Sequence, residues 1–272
     1  MHPLLSVSAV SSWTWTLDED LRFWADAGID HVGLSFRKLE EAGLDAATAR
    51  LRDAGVRVSN IVELGWWDLA DPSTIPAQQD RLLQAVEVAS VLSCPVLVLT
   101  TGPAHGLHWD EACEALGDAL VSTLRSAQEK RVRVCLENTS PLRLDLSFCT
   151  TARDGVDLAR RTGTGLCLEV NSCFAERDLE WTIAMGADVL AHVQLNDFVI
   201  GSLCTPDRAV PGDGQIPLRA IVATVLAAGY EGAFELELVG PRIEAEGYAS
   251  AITRGVEHLE AMLGEILGQP IP

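Results

Sequence analysis

Short, nearly unbroken apolar runs alternate along this chain with longer stretches whose apolar residues recur every three to four positions. The first pattern suits strands buried on both faces, and the second suits amphipathic helices packed over them. The runs 4–10, 29–36, 56–64, 94–101, 132–138, 165–170, 189–197 and 233–239 are predicted strands. The stretches 17–28, 45–54, 76–92, 109–130, 150–162, 178–185, 217–228 and 249–267 are the predicted helices. "DAG" at 26–28 and 53–55, and "AAGY" at 227–230, stand where a helix stops before a strand. Eight strand–helix units in one domain spanning 1–272 predict an α/β fold, a single (β/α)8 TIM barrel. The rival, a doubly wound open sheet, is weakened because no G-x-G-x-x-G follows the first strand.

In such a barrel, functional side chains stand at the carboxyl ends of the strands. The fifth run, "VRVCLE", ends in Glu137, and the sixth, "GLCLE", in Glu169. The seventh, "AHVQ", delivers Gln194, and the eighth, "AFELE", ends in Glu237. Any one Glu alone reads as a loop-start residue in a surface ion pair. Four oxygen-bearing side chains in series on one rim read differently. Three carboxylates aimed at one another repel, and a divalent cation removes the repulsion. An all-oxygen set with one neutral amide suits Mn²⁺ or Mg²⁺, with Co²⁺ or Zn²⁺ as possible substitutes. Side chains alternate along a strand, so if Gln194 points inward, His192 does too, one layer deeper. The same holds for Glu235 beneath Glu237. His192 and Glu235 are therefore expected to meet under the ligands and hold them in orientation; a His satisfied by a backbone carbonyl is the alternative.

Composition narrows the partners. A net charge of −19 argues against a sequence-independent grip on nucleic acid and against an anionic membrane surface. No run reaches the roughly 18 apolar residues that cross a bilayer, and no basic leader opens the chain. The expectation is a cytoplasmic protein with a small-molecule substrate, and the oligomeric state stays open. Seven scattered Cys, without a C-x-x-C pair, read as reduced core thiols. The early strand ends carry Trp13, Trp15, Trp66 and Trp67, and Trp109, His105 and His108 follow the fourth strand. Of these, Trp13, Trp15, Trp66 and His105 are candidates for a pocket wall against a sugar ring or something flatter; capping of the barrel is the alternative. Arg143, Arg177, Arg208 and Arg242 follow strands five to eight.

Several motifs resemble the xylose-isomerase-like barrel superfamily of sugar isomerases, ketose epimerases, hydroxypyruvate isomerase and inosose dehydratase. "CLEN" resembles its metal Glu on strand five, and "GLCLEVNS" its D-x-x-H on strand six. "HVQLND" resembles H-x-H-x-x-D, with Asp197 as the closing Asp. "RAVPGDGQI" resembles R-x-x-P-G-x-G-x-I, and "YEGAFELE" resembles Y-x-G-x-x-x-x-E. The resemblance implies that Glu137, Glu169, Gln194 and Glu237 ligate metal, that Glu137 and Glu237 also form the acid/base pair, and that Arg208 contacts substrate. Asp197 joins His192 and Glu235 as a supporting residue. Gln194 replaces the His of most members, as in the hydroxypyruvate isomerase branch. Glu169 stands where most epimerases have Asp. Ser172 stands where the family has a substrate-binding His, and the link from Asp197 to Arg208 is long.

The implied chemistry is isomerisation or epimerisation of a sugar or small hydroxy-carbonyl compound. A Glu removes a proton beside a carbonyl, and the cation stabilises the enediolate. A lyase or dehydratase acting at the same site is the alternative, including elimination of an aglycone from an oxidised glycoside. A non-catalytic barrel ranks third, because both Glu137 and Glu237 are intact.

Overall fold

A computed structural model describes residues 1–65 and 67–268. Strands and helices alternate as β1 (Leu5–Ser8), α1 (Leu17–Ala27), β2 (His31–Ser35), α2 (Phe36–Glu41), α3 (Leu44–Ala54), β3 (Arg57–Glu63), α4 (Ile75–Val91) and β4 (Val96–Leu99). They continue as α5 (Trp109–Lys130), β5 (Arg133–Glu137), α6 (Ala152–Thr162), β6 (Gly165–Glu169), α7 (Val170–Cys173) and α8 (Leu179–Met185). The last are β7 (Leu190–Leu195), α9 (Leu218–Ala227), β8 (Phe234–Leu236), α10 (Pro241–Glu246) and α11 (Tyr248–Ile266). The strands pair in sequence order and close, β8 returning to β1, all parallel. This is a single (β/α)8 TIM barrel.

Each connection has a local cause. Thr16 and Glu19 cap α1 reciprocally, and Gly28 ends it in the left-handed conformation. Gly55 and Gly163 end α3 and α6 in the same way. Outward strand residues such as Leu5, Val32, Leu97 and Val193 pack under the helices in one large apolar core. A second, smaller cluster fills the barrel: Val10, Val62, Val96, Val98, Cys135 and Cys167. Six of the seven Cys are buried, and Cys204 is exposed. Burial pushes the Cys94 thiol up to about 12 and the Cys113 thiol to about 11, as inert core thiols require. Among the described residues, no helix is long and apolar enough to cross a membrane.

The structure differs from the predicted elements mainly at the rim. Residues 36–41 turn into α2 at once, because Phe36 and Leu39 bury one helical turn against the barrel. The predicted strand 233–239 pairs only over Phe234–Leu236. Beyond it the Ser11 hydroxyl takes over: it donates to Leu236 O at 3.1 Å and accepts from Leu238 N at 2.9 Å. Glu237 N still donates to Leu195 O, so the residue stays level with the end of β7. The predicted strand 4–10 gives way at Ala9 to one tight 3₁₀ turn, which carries the chain to Trp13.

Candidate active site at the barrel mouth

A cavity of about 700 Å³ opens at the carboxyl ends of the strands. Glu137, Glu169 and Glu237 line it, together with Arg208, Ser172, Asn171 and Trp13. All three glutamates are buried. Glu169 and Gln194 are direct register partners on β6 and β7.

Gln194 does not itself line the cavity; it is also the register partner of Glu235 on β8 and belongs with it to a buried polar network. His192 Nε2 is 3.0 Å from Glu235 Oε2. Asn60 Nδ2 donates to both Glu235 oxygens at 3.2 Å, and Gln194 Nε2 donates to Oε2 at 3.4 Å. Burial pushes the Glu235 carboxyl up, but the His192 hydrogen bond and charge outweigh it, and the net shift is downward. An ionised carboxylate only accepts, so the Gln194 amide must turn its NH₂ toward Glu235. Its Oε1 is then buried with no hydrogen-bond partner among the described residues. Gly33 is part of the same construction: a Cβ there would lie 1.8 Å from Glu235 Oε1.

Glu169 is held from three sides. Its carboxylate accepts from the amides of Asn171 and Ser172, from the Ser172 hydroxyl at 2.7 Å, and from Asn196 Nδ2 at 2.7 Å. The Ser172 hydroxyl thus faces the cavity but is engaged by Glu169. Asn138 ties the backbone of Glu169 on both sides, through Nδ2 to its carbonyl and Oδ1 from its amide. Arg208 is bonded to Glu237 and lies 3.5 Å from Glu169. Burial works against the guanidinium charge, but Glu237, Glu169 and Glu137 more than offset it. Glu137 is pushed well up by burial and then by the Glu237 charge. Glu237 is pushed up by burial, with Arg208 opposing.

The loop carrying Arg208 hangs from Asp197. Its Oδ1 accepts from the amides of Phe198 and Ile216, and its Oδ2 from those of Gly212 and Gly214. A Cβ at Gly214 would sit 2.3 Å from Asp197 Oδ1, so only glycine lets the turn close this tightly.

In kind, the four strand-end oxygens fit a hard divalent cation. Gln194 supplies a desolvated, unshared carbonyl oxygen, and three carboxylates supply charge. Among the described residues, no three His, Cys, Asp or Glu side chains converge on one ion position as the side chains stand. The positive charge among the three glutamates is the Arg208 guanidinium.

The remaining sequence candidates disperse. Trp13 lines the cavity. Trp15 does not: it packs edge-on against Phe23 and Tyr248 and borders a neighbouring groove. Such T-shaped packing uses its ring as a cap between helices. His105, 71% exposed, pairs with Asp68 at 2.9 Å and lies outside the cavity. Trp66 lies outside the described residues. Trp67 is buried, and its Nε1 donates to Thr101 O, a structural role. Sequence reading passed over Asn60, Asn138, Asn171 and Asn196. Their signal was present: three of them sit within two residues of a candidate ligand at a strand end, and Asn60 interrupts an apolar run.

The sequence profile described as "Xylose isomerase-like TIM barrel" matches residues 21–262. No curated protein sequence matches the chain. Among solved structures, protein SMc04130 from Sinorhizobium meliloti 1021 superposes with a TM-score of 0.86 at 22% identity, covering 96% of this chain and 98% of that one. The IOLI protein with a bound zinc atom gives 0.82 at 17%, covering 96% and 98%. A D-psicose 3-epimerase from Clostridium cellulolyticum H10, solved with D-tagatose, gives 0.73 at 16%, covering 97% and 98%.

Proposed function

We propose that this chain, which belongs to the xylose isomerase-like TIM barrel family, is a divalent-metal-dependent isomerase or epimerase of a sugar or small hydroxy-carbonyl compound. The observation that carries the reading is the Gln194 carbonyl oxygen. It is buried, oriented by Glu235 and unshared, and its residue is in register with Glu169, one of the three strand-end glutamates. An unpaired buried acceptor costs roughly 1–3 kcal/mol, and a cation would offset that cost.

Glu137, Glu169, Gln194 and Glu237 would hold the ion; when bound, it polarises a substrate carbonyl and neutralises developing negative charge. The chain's own groups do the rest. Glu137 and Glu237 come from β5 and from the segment just after β8, and both line the cavity. A carbon acid lying between them loses its proton to one carboxylate and regains a proton from the other. Return at the same carbon from the opposite face inverts it; return at the next carbon isomerises. Arg208, fixed by Asp197 through the loop, steadies Glu237 and presents its guanidinium to substrate oxygens. The neighbouring zinc-bound and epimerase structures support this reading at the level of fold.

The test is proton exchange. A panel of keto-hexoses and keto-pentoses is incubated in D₂O with metal-loaded protein and followed by NMR. Exchange of a proton beside the carbonyl, abolished by Glu137→Gln or Glu237→Gln, is the expected result. Absence of exchange from every keto-sugar, and from small hydroxy-carbonyl compounds added to the panel, with metal bound, contradicts it.

A further inference from the structure

Arg208 brings a positive charge to the same carboxylates that the proposed ion would use. Its Nη1 is bonded to Glu237 Oε2 and also donates to the Glu237 carbonyl at 3.3 Å. Its Nη2 lies 3.5 Å from Glu169 Oε1. The Arg208 side chain is only 12% exposed, and both glutamates are buried.

The acceptor sites of Glu169 are already filled. Oε1 accepts from Asn171 N and Asn196 Nδ2, and Oε2 accepts from the amide and the hydroxyl of Ser172. An ionised carboxylate offers about four such sites. A cation joins this one only by replacing a neighbour. The four neutral donors belong to α7 and to the end of β7, which build the site. Arg208 is the more distant neighbour and carries the charge. At Glu237 the guanidinium is bonded directly to a carboxylate oxygen. Two cations on one carboxylate repel, and burial leaves that repulsion weakly screened.

The backbone at Arg208 is clamped. Arg208 N donates to Val239 O at 2.9 Å. Ala209 exchanges both backbone hydrogen bonds with Asp197, at 2.7 and 2.9 Å. What remains movable is the side chain, and it lines the cavity. A guanidinium that leaves the carboxylates therefore stays within reach of a ligand in the cavity.

We propose that Arg208 is a displaceable counter-ion: its guanidinium holds Glu237 and Glu169 in competition with the divalent cation, and it is free to take a substrate oxygen once it gives them up. The inference rests on the metal-site reading above and adds an order of assembly to it, ion before substrate. The competition is reciprocal, so Arg208 must weaken ion binding by the same factor by which the ion weakens the Arg208 contacts.

Mn²⁺ affinity of chelator-stripped protein, measured by competition with a chelating dye, tests this in the wild type, Arg208→Met, Arg208→Gln and Arg208→Lys. The Met and Gln variants are expected to bind Mn²⁺ about tenfold or more tightly than the wild type. The Lys variant should fall between, because it keeps the charge without the fork. Stripped of metal, the Met and Gln variants should melt below the stripped wild type and regain more on adding Mn²⁺. Loss of a purely structural Arg208 would weaken Mn²⁺ binding instead. A second reading needs no substitution: as Zn²⁺ is added to the wild type, the Arg208 Nε–H resonance should lose its protection from solvent exchange. Equal or weaker Mn²⁺ affinity in the Met and Gln variants, or an Arg208 resonance indifferent to a bound ion, overturns the displacement and leaves the metal site standing. Failure of the wild type and every variant to take up either ion overturns both.

Discussion

Gln194 Nε2 donates to Glu235 Oε2, the same oxygen that lies 3.0 Å from His192 Nε2, and this leaves Gln194 Oε1 buried and without a hydrogen-bond partner among the described residues. The proposed ligand oxygen is thus oriented by Glu235, the register partner of Gln194 on β8, which does not itself line the cavity. Glu235→Gln makes that partner able to donate as well as accept, so the Gln194 amide loses its enforced orientation. Metal affinity, measured by competition with a chelating dye, is expected to fall about 10–100-fold. The barrel itself should remain folded, as shown by an unchanged far-UV spectrum.

Glu137 and Glu237 carry the proton transfers in the proposed chemistry. Replacing either by Gln keeps the shape and removes the acid/base function. Turnover of an accepted keto-sugar is expected to fall by about 10²–10⁴-fold. Measuring exchange with solvent separately from product formation reads the two half-reactions. Because both side chains also stand among the proposed metal ligands, exchange and product formation are expected to fall together in each variant.

Asp197 accepts four backbone amides, from Phe198, Gly212, Gly214 and Ile216. Asp197→Ala orphans those donors and frees the loop that delivers Arg208. Stability by urea unfolding is expected to drop by ~3 kcal/mol. Arg208→Lys, by contrast, should hold stability and raise KM, because a lysine cannot reproduce the fork that spans Glu237 and Glu169.

The Asp20–Lys38 pair, 2.6 Å apart and fully buried under the first rim turn, gives a pH prediction. Burial pushes Asp20 up to about 6, with Lys38 opposing. A carboxyl whose folded value lies above its unfolded one contributes stability that is complete below the unfolded value. That contribution is lost as pH rises through about 6. Between pH 4 and 6.5 the wild type is expected to lose roughly 2 kcal/mol on this account. Asp20→Asn should flatten that part of the profile. Lys38→Met strands the carboxyl and should cost about 3–5 kcal/mol near neutral pH.

The barrel was legible because its signal is periodic: apolar strand runs and glycine helix stops repeat eight times, and each repeat constrains the next. The depth order of Gln194 over His192 and of Glu237 over Glu235 was legible too, because strand parity alone sets it. What escaped was lateral. Asn138 reaches across to the Glu169 backbone from the adjoining strand end, and no periodicity marks such a contact. The aromatic rim was half legible: Trp13 reaches the cavity, but Trp15, two residues on, turns outward to Phe23 and Tyr248. The 3₁₀ turn that separates them from β1 breaks the strand alternation on which a prediction could rest. Helix α2 was missed because its single turn shares Phe36 with the preceding apolar run.

The most direct measurement is the metal content of the purified protein by elemental mass spectrometry, with Glu137→Gln, Gln194→Ala and Glu237→Gln alongside. A four-ligand site predicts about one divalent ion per chain in the wild type. It predicts loss of that ion in the variants and a lower melting temperature when chelator is added. No bound ion after reloading with Mn²⁺, Mg²⁺, Co²⁺ and Zn²⁺, and a melting temperature indifferent to chelator, would contradict the site.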